Sequence, residues 1–376
     1  MSTGCGSGTH VVSGPQLCAG GCIYSPNLLN ESEMTVATLA DVAQRVGVSQ
    51  ATVSRAINGK PGVSDRTRQA ILEAMRELGM VGDSLQRGTP RQVALVAPDL
   101  SNPIFAAFVT AISTYLARNN MLPVLCTYTL TGASESSLLE MVLKQQPTGV
   151  IFLAGRYDTE FADHSDYAML RERRLPTVFI NAAAPQLPGH CVMTDDAVGT
   201  RMAMRHLASQ GHTRIGLLLG DPHHYPSLIK HEAALAFAQE AGLELPEEAT
   251  AWTTYGFESG RDAALRLGEQ GITALLCASD QLALGAIRAL KSLGLSVPDD
   301  VSVIGYDDSP WLPYTSPALT TVRQSVDAMS RAAVAALLRC TEDPALLDVR
   351  RDLRFEPELV VRESTGICPT WRSGTE

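Results

Sequence analysis

From residue 92 onward the sequence alternates between short, continuously apolar runs and longer stretches whose apolar residues recur at helical spacing. The runs are VALVAP (93–98), LPVLCTYT (122–129), GVIFLAG (149–155), PTVFIN (176–181), RIGLLLG (214–220), TALLCAS (273–279) and VSVIGYDD (301–308). Amphipathic stretches at 104–119, 135–145, 198–210, 231–241, 258–270 and 281–293 lie between or after them. A strand without polar alternation must be buried on both faces, and strand–helix repetition builds a parallel sheet covered by helices. The runs are too numerous for one small sheet, so two similar lobes with a cleft between them are expected.

Ahead of this body lies a segment of different texture. Thr38 and Asp41 form a capping-box pattern, Leu39, Val42, Ala43 and Val46 make one apolar stripe, and Gly47 ends the helix. Ser49 caps a second helix that runs to about Asn58 and stops at Gly59; Ser64 caps a third, with Ile71, Met75 and Leu78 directed inward. Helices this short must pack on one another, and two joined by Gly47-Val48-Ser49 read as a helix-turn-helix. Val53 and Ile57 mark the second helix's inner face, leaving Ala51, Ser54, Arg55 and Asn58 outward.

Charge separates the two parts. Residues 35–91 carry eight Lys/Arg against five Asp/Glu, whereas the whole chain has a formal net charge of −10. A small basic module on a large acidic body points to a local anionic partner rather than a surface that coats nucleic acid throughout. No apolar run approaches the ~18 residues of a membrane span, and no signal-peptide pattern opens the chain. The eight cysteines are scattered, and Cys18 and Cys22 lack a second ligand pair at zinc spacing. A cytoplasmic protein without metal or cofactor is expected. Residues 1–34, rich in Gly, Ser, Pro and Asn, read as a disordered extension.

The stretch TLADVAQRVGVSQATVSRAING resembles the head signature of the LacI family of transcriptional repressors, and VSDRTRQAILEAMRELGM resembles its third helix. VALVAPDLSNPIF, RHLASQGHTRIGLLLG, CASDQLALGAIRALKSLGLSVPDDVSVIGYDDS and LTTVRQSVDAMSRAAV resemble successive landmarks of its effector-binding core. The resemblance runs from about residue 35 to 366. It implies a small all-α helix-turn-helix head joined to a two-lobed, periplasmic-binding-protein-like α/β core with parallel sheets. It also implies a homodimer on near-palindromic double-stranded operator DNA, with affinity changed by a small molecule, expected to be a sugar or sugar derivative.

On this resemblance the head spans 35–80, a shortened hinge 81–91, the core 92–366 and a tail 367–376. Lobe 1 would comprise about 92–191 plus 323–350, and lobe 2 about 192–322 plus 351–366. Gln50, Ala51 and Arg55 would read bases; Thr52, Ser54 and Asn58, with the helix starts at Thr38, Ser49 and Ser64, would meet phosphates or set register. Arg can pair bidentately with guanine, whereas Ala51 offers only a methyl contact. The stretch VGDSLQRGTPRQ, with Gly82, Gly88 and Pro90, departs from the family's hinge helix. Leu85 matches its earlier apolar position and Thr89 stands where a wedging leucine is expected, so the hinge helix should be stunted or absent.

Effector candidates implied by the resemblance are Asn102, Phe105, Lys230, Asp280 and Asp307, most of them just past strand C-termini. Asp280 and Asp308 could equally cap helices or hold the lobe crossovers. Lys230 stands where the family often has an arginine, and a lysine cannot supply a planar fork. In GDPHHYPS, the histidines read as an exposed polar loop, although His223, His224 or Tyr225 could reach the pocket. One residue of Asp195-Asp196 should cap a helix. Two other readings stay open: a soluble solute-binding protein with a vestigial head, and a sugar-processing enzyme, for which no G-x-S-x-G, P-loop or strand-linked G-x-G-x-x-G is present.

Overall fold

A computed structural model describes residues 38–57, 60, 62–78, 91–128, 134–181, 187 and 189–369. Asn58, Leu85, the hinge and the N-terminal extension lie outside the described residues. The chain divides into two compact units, Met1–Gly88 and Thr89–Glu376.

In the first unit, α1 (Leu39–Val46), α2 (Gln50–Ile57) and α3 (Asp65–Glu77) surround a core of Val42, Ala43, Val53, Ala56, Ile71, Ala74 and Met75. Asp41 accepts the Thr38 backbone N–H at 2.6 Å and its hydroxyl at 2.7 Å. Gly47 adopts φ 72°, a left-handed cap that turns the chain toward Ser49, whose Oγ accepts the Thr52 N–H at 3.1 Å. Ser64 caps α3 in the same way through the Thr67 N–H, at 3.2 Å. The Arg68 guanidinium donates to the Ala56 carbonyl and so closes the end of α2. Two apolar residues expected inside, Leu39 and Ile57, are 40% and 43% exposed. Ala56, not Ile57, is the buried partner of Val53, because one face of so short a helix reaches the core only at i and i+3.

The second unit holds two six-stranded sheets. Lobe 1 is ordered β11-β5-β4-β3-β1-β2, from β1 (Arg91–Pro98), β2 (Met121–Tyr128), β3 (Gly149–Phe152), β4 (Thr177–Ile180), β5 (His190–Thr194) and β11 (Asp352–Phe355), all parallel. Lobe 2 is ordered β12-β10-β9-β8-β6-β7, from β6 (Ile215–Leu219), β7 (Thr250–Trp252), β8 (Ala274–Cys277), β9 (Ser302–Asp307), β10 (Thr320–Arg323) and β12 (Glu358–Val360). Among the described strand pairings of this sheet, β12–β10 is antiparallel and the others are parallel.

Strand parity explains the double layering. Val93, Leu95 and Ala97 of β1 pack with α4 (Pro103–Arg118) and α11 (Val326–Glu342), while Ala94 and Val96 face α5 (Glu135–Lys144) and α6 (Ser165–Glu172). In lobe 2, α7 (Asp196–Ser209), α8 (Tyr225–Ala241), α9 (Phe257–Gly268) and α10 (Asp280–Ser292) enclose one apolar core that contains Cys277.

Three expectations need correction. Residues 192–194 and 352–355, expected in lobe 2, belong to lobe 1, because β11 pairs in register with β5. The chain therefore crosses between lobes after β5, after β10 and again after β11. Residues 367–368, expected in a loose tail, include the buried Cys368, whose N–H donates to Gln210 O at 2.9 Å. Helix α8 starts at Tyr225, six residues before the periodicity suggests, because Pro226 is tolerated in a first helical turn.

Candidate functional site: an outward helix face and an interlobe cleft

Helix α2 presents Gln50, Ala51, Ser54 and Arg55 to solvent, with Thr52 half-buried. The Ser49 and Thr52 hydroxyls lie 2.9 Å apart, and those of Ser64 and Thr67 2.8 Å apart, so each helix start carries a paired hydroxyl. Such starts suit an anion. Thr38 differs, since its hydroxyl is already engaged by Asp41.

In the second unit, strand C-termini of the two lobes face a cleft of about 570 Å³. Asn102, Phe105, Lys230 and Asp307 line it, as the sequence suggests. Asn102 caps α4, its Oδ1 accepting the Ile104 N–H at 3.2 Å. Asp280 does not line the cleft. Its carboxylate is buried beneath the loop after β9, accepting from Ser309 N and Oγ (2.7 and 2.8 Å) and Thr321 Oγ1 (2.6 Å). Burial pushes its pKa up to about 6 against those hydrogen bonds. The residue before it, Ser279, takes the place in the lining. Asp308 is likewise structural, paired with Arg323 and Arg362 at 2.6 Å each.

One polar network binds the lobe 2 wall. Lys230 Nζ lies 2.9 Å from Asp196 Oδ1 and 4.2 Å from the centre of the Tyr306 ring. The Tyr306 hydroxyl donates to the same Asp196 oxygen at 2.6 Å. Burial opposes charge on Lys230, but Asp196, with Tyr255 and Asp307, outweighs it and the amine's pKa is raised. The neighbouring Asp195 caps α7 through the Val198 N–H. Asp307 accepts from Gln324 Nε2 at 2.7 Å, and Gln324 Oε1 accepts from Asn181 Nδ2 (2.9 Å) and Thr194 Oγ1 (2.8 Å), which joins the lobes. Burial, and then the charge of Asp280, raise the Asp307 pKa well above the usual carboxylate range. Asp307 also holds φ 113°, a strained conformation that recurs at ligand sites.

Asp158, Asn181, Asp196, Tyr255, Gln324 and His224 also line the cleft, none of them singled out as effector residues from the sequence alone, although His224 stood among the loop's possibilities. The rule that ligands meet strand C-termini reaches Asn181, directly after β4, and Asp158, shortly after β3. His223 is exposed and its ring lies 5.1 Å from that of Phe161, whereas His224 is half-buried. Among the described residues no group of three or more His, Cys, Asp or Glu could hold a metal ion.

Comparison with known proteins agrees with this arrangement. Residues 38–81 match the bacterial regulatory proteins of the lacI family, and residues 204–365 match a periplasmic binding protein-like domain. The HTH-type transcriptional regulator reg1 of Streptomyces lividans is 43% identical, covering 88% of this chain and 97% of its own length. The HTH-type transcriptional regulator MalR of Streptomyces coelicolor is 42% identical over 88% and 97%. Among solved structures, a lac repressor dimer bound to operator and an anti-inducer superposes with a TM-score of 0.69 at 26% identity, covering 88% of this chain and 99% of that one. The CelR–cellobiose complex gives 0.65 at 29%, covering 87% and 99%. The relatives are transcriptional regulators rather than enzymes, and with a capped helix-turn-helix in one unit and a two-lobed cleft in the other, this chain belongs to the LacI family of transcriptional regulators.

Proposed function

We propose that the chain is a homodimeric repressor of near-palindromic operator DNA, and that a sugar bound between its lobes changes its operator affinity. The observation that carries this reading is the cleft, where acid, amide and aromatic groups converge from both lobes of the unit that follows the head. Carboxylates and amides meet hydroxyls, and Phe105 or Tyr255 offers a face for ring C–H groups. A ligand that touches both lobes differently in two lobe arrangements shifts the balance between them.

On the DNA side, Arg55 and Gln50 read base edges and Ala51 senses a thymine methyl. Thr52, Ser54, Ser49 and Ser64 take phosphate contacts, with Asn58 and Leu85 assigned by resemblance alone. Thr38 contributes its backbone end of α1 rather than its hydroxyl. For the effector we assign Asn102, Phe105, Lys230 and Asp307, with Asn181, Ser279 and Gln324 added.

The test is a fluorescence-anisotropy titration of the full chain against DNA from upstream of its own gene, across salt concentration and with added sugars. Sequence-specific binding with a steep salt slope, shifted by a sugar, is expected. Binding to no sequence under any effector condition would leave a solute-binding protein with a vestigial head.

A further inference from the structure

The two lobes share one architecture but differ in charge at one end, the end opposite the cleft, where strands begin and flanking helices finish. In lobe 1 the last helical turns and loops leading into β2, β3, β4 and β11 (115–120, 141–148, 169–176 and 339–351) carry eight Lys/Arg against four Asp/Glu. The matching stretches leading into β6, β7, β8 and β9 of lobe 2 (206–214, 238–249, 265–273 and 289–301) carry three against seven. Helix C-termini attract cations, but both lobes present them here, so the helix dipole does not account for the contrast.

The lobe 1 charges gather in one place and are only partly matched. Arg171 and Arg174 border one small cavity with Cys340 and Leu346, which brings the ends of α6 and α11 together. Burial, and then the charges of Arg339 and Arg351, push the His190 pKa below its ordinary value, so both guanidinium groups stand near that ring at the start of β5. Arg174 reaches Asp348 at 3.6 Å and Arg350 reaches Asp352 at 2.8 Å. Arg171, Arg173, Arg339 and Arg351 are exposed, and among the described residues none of these four has an ion-pair partner. Like charges gathered on a surface repel one another, and an external anion relieves this. Strand β1 also begins at this end, at Arg91, so this is the face by which the chain enters lobe 1 from the head.

We propose that this basic end of lobe 1 is a second, sequence-independent contact for double-stranded DNA, taking phosphates that flank the operator read by α2. Duplex DNA presents one phosphate charge per ~1.7 Å of its axis, a row that arginines spread over neighbouring helix ends meet together. The arginine fork suits phosphate oxygens and keeps its charge at any working pH. The acidic end of lobe 2 offers no such surface. The inference rests on the operator-binding reading and goes beyond it, since that reading assigns DNA contacts to the head and hinge alone.

The experiment is a fluorescence-anisotropy titration of the full chain against two duplexes of about 50 bp, one from upstream of its own gene and one of random sequence, between about 50 and 200 mM salt. Arg171→Gln with Arg173→Gln, Arg339→Gln with Arg351→Gln, and all four together are compared with Arg205→Gln and Arg266→Gln, which remove two exposed cations of lobe 2. Each phosphate contact contributes about 0.9 to the log–log salt slope. The fourfold variant is expected to flatten the slope by about 2, so that its affinity deficit narrows about tenfold from the lowest salt to the highest, alike on both duplexes. Each lobe 1 pair should give about half that change in slope, and the lobe 2 pair none. Circular dichroism melts verify folding; if the fourfold variant melts early, the pairs carry the comparison. An unchanged slope in the folded lobe 1 variants, an equal change in the lobe 2 pair, or a loss confined to one duplex would each overturn the contact while leaving the operator-binding reading intact. Binding of the unmodified chain to neither duplex at any salt would overturn both.

Discussion

Among single side chains, the buried charges of the cleft make the sharpest predictions. Asp158 is fully buried, and burial raises its pKa to about 6 from an ordinary 3.8, with His224 opposing the shift. A carboxyl whose folded pKa exceeds its unfolded one binds more protons when folded, so stability rises as pH falls through that window. The cost is fully present above about pH 6 and gone below about pH 4. Asp158→Asn should therefore stabilise the core at pH 7.5 by on the order of 1–3 kcal/mol, and this gain should vanish by pH 4 in urea titrations. A gain independent of pH would show that the carboxyl is not the titrating group. Lys230 has the opposite character: removing one partner of a buried ion pair strands the other. Lys230→Met should cost about 3 kcal/mol in the same titrations, because Asp196 keeps only the Tyr306 hydroxyl. On DNA, Arg55→Ala should lose about 1–3 kcal/mol on the specific operator and relax preference at one base position, read by competition binding. Equal affinity for operator in that variant would remove Arg55 as a base reader.

At the scale of elements, the helix-turn-helix depends on one backbone conformation. Gly47 sits at φ 72° with nothing within 4 Å of where a Cβ would stand. Gly47→Ala thus meets no clash and incurs only the left-handed penalty, about 1 kcal/mol. Hydrogen exchange of the α1 and α2 amides should speed about fivefold. Most of these elements were legible as pattern: the capping box at Thr38 and Asp41, the Ser49 and Ser64 caps, and the buried strands β1, β3, β4, β6, β8 and β9 all carry local signals. The edge strand β7, the crossover strands β11 and β12, and β5 were not. Asp352–Phe355 alternates between exposed and half-buried residues, so no continuous apolar run announces it. Its place beside β5 depends on how the chain crosses between lobes, which no local pattern encodes. The residues of the proposed effector site followed the same division. Asn102, Phe105, Lys230 and Asp307 follow from strand ends and resemblance, whereas Asp280 misled because adjacent helix-start residues point in different directions. Ser279 faces the cleft; Asp280 faces Ser309 and Thr321.

For the whole molecule, the cleft is useful to the head only if its ligand distinguishes arrangements of the two lobes. Several groups already span them: Gln281 Nε2 donates to Ser101 O at 2.9 Å, Asn181 reaches Gln324, and Asp158 faces His224. Each is a bond or near-bond that a small change in lobe separation makes or breaks, which is the kind of bistable contact an effector can bias. Coupling between cleft and DNA is then a free energy that both ligands share. Thermodynamic linkage requires that the sugar change operator affinity by the same factor as operator changes sugar affinity. The most direct measurement is therefore a paired titration: sugar affinity of the chain free and saturated with operator, and operator affinity with and without saturating sugar. The account predicts one common factor in both directions, about 5- to 150-fold. Tight binding of both ligands with a factor of one would contradict it.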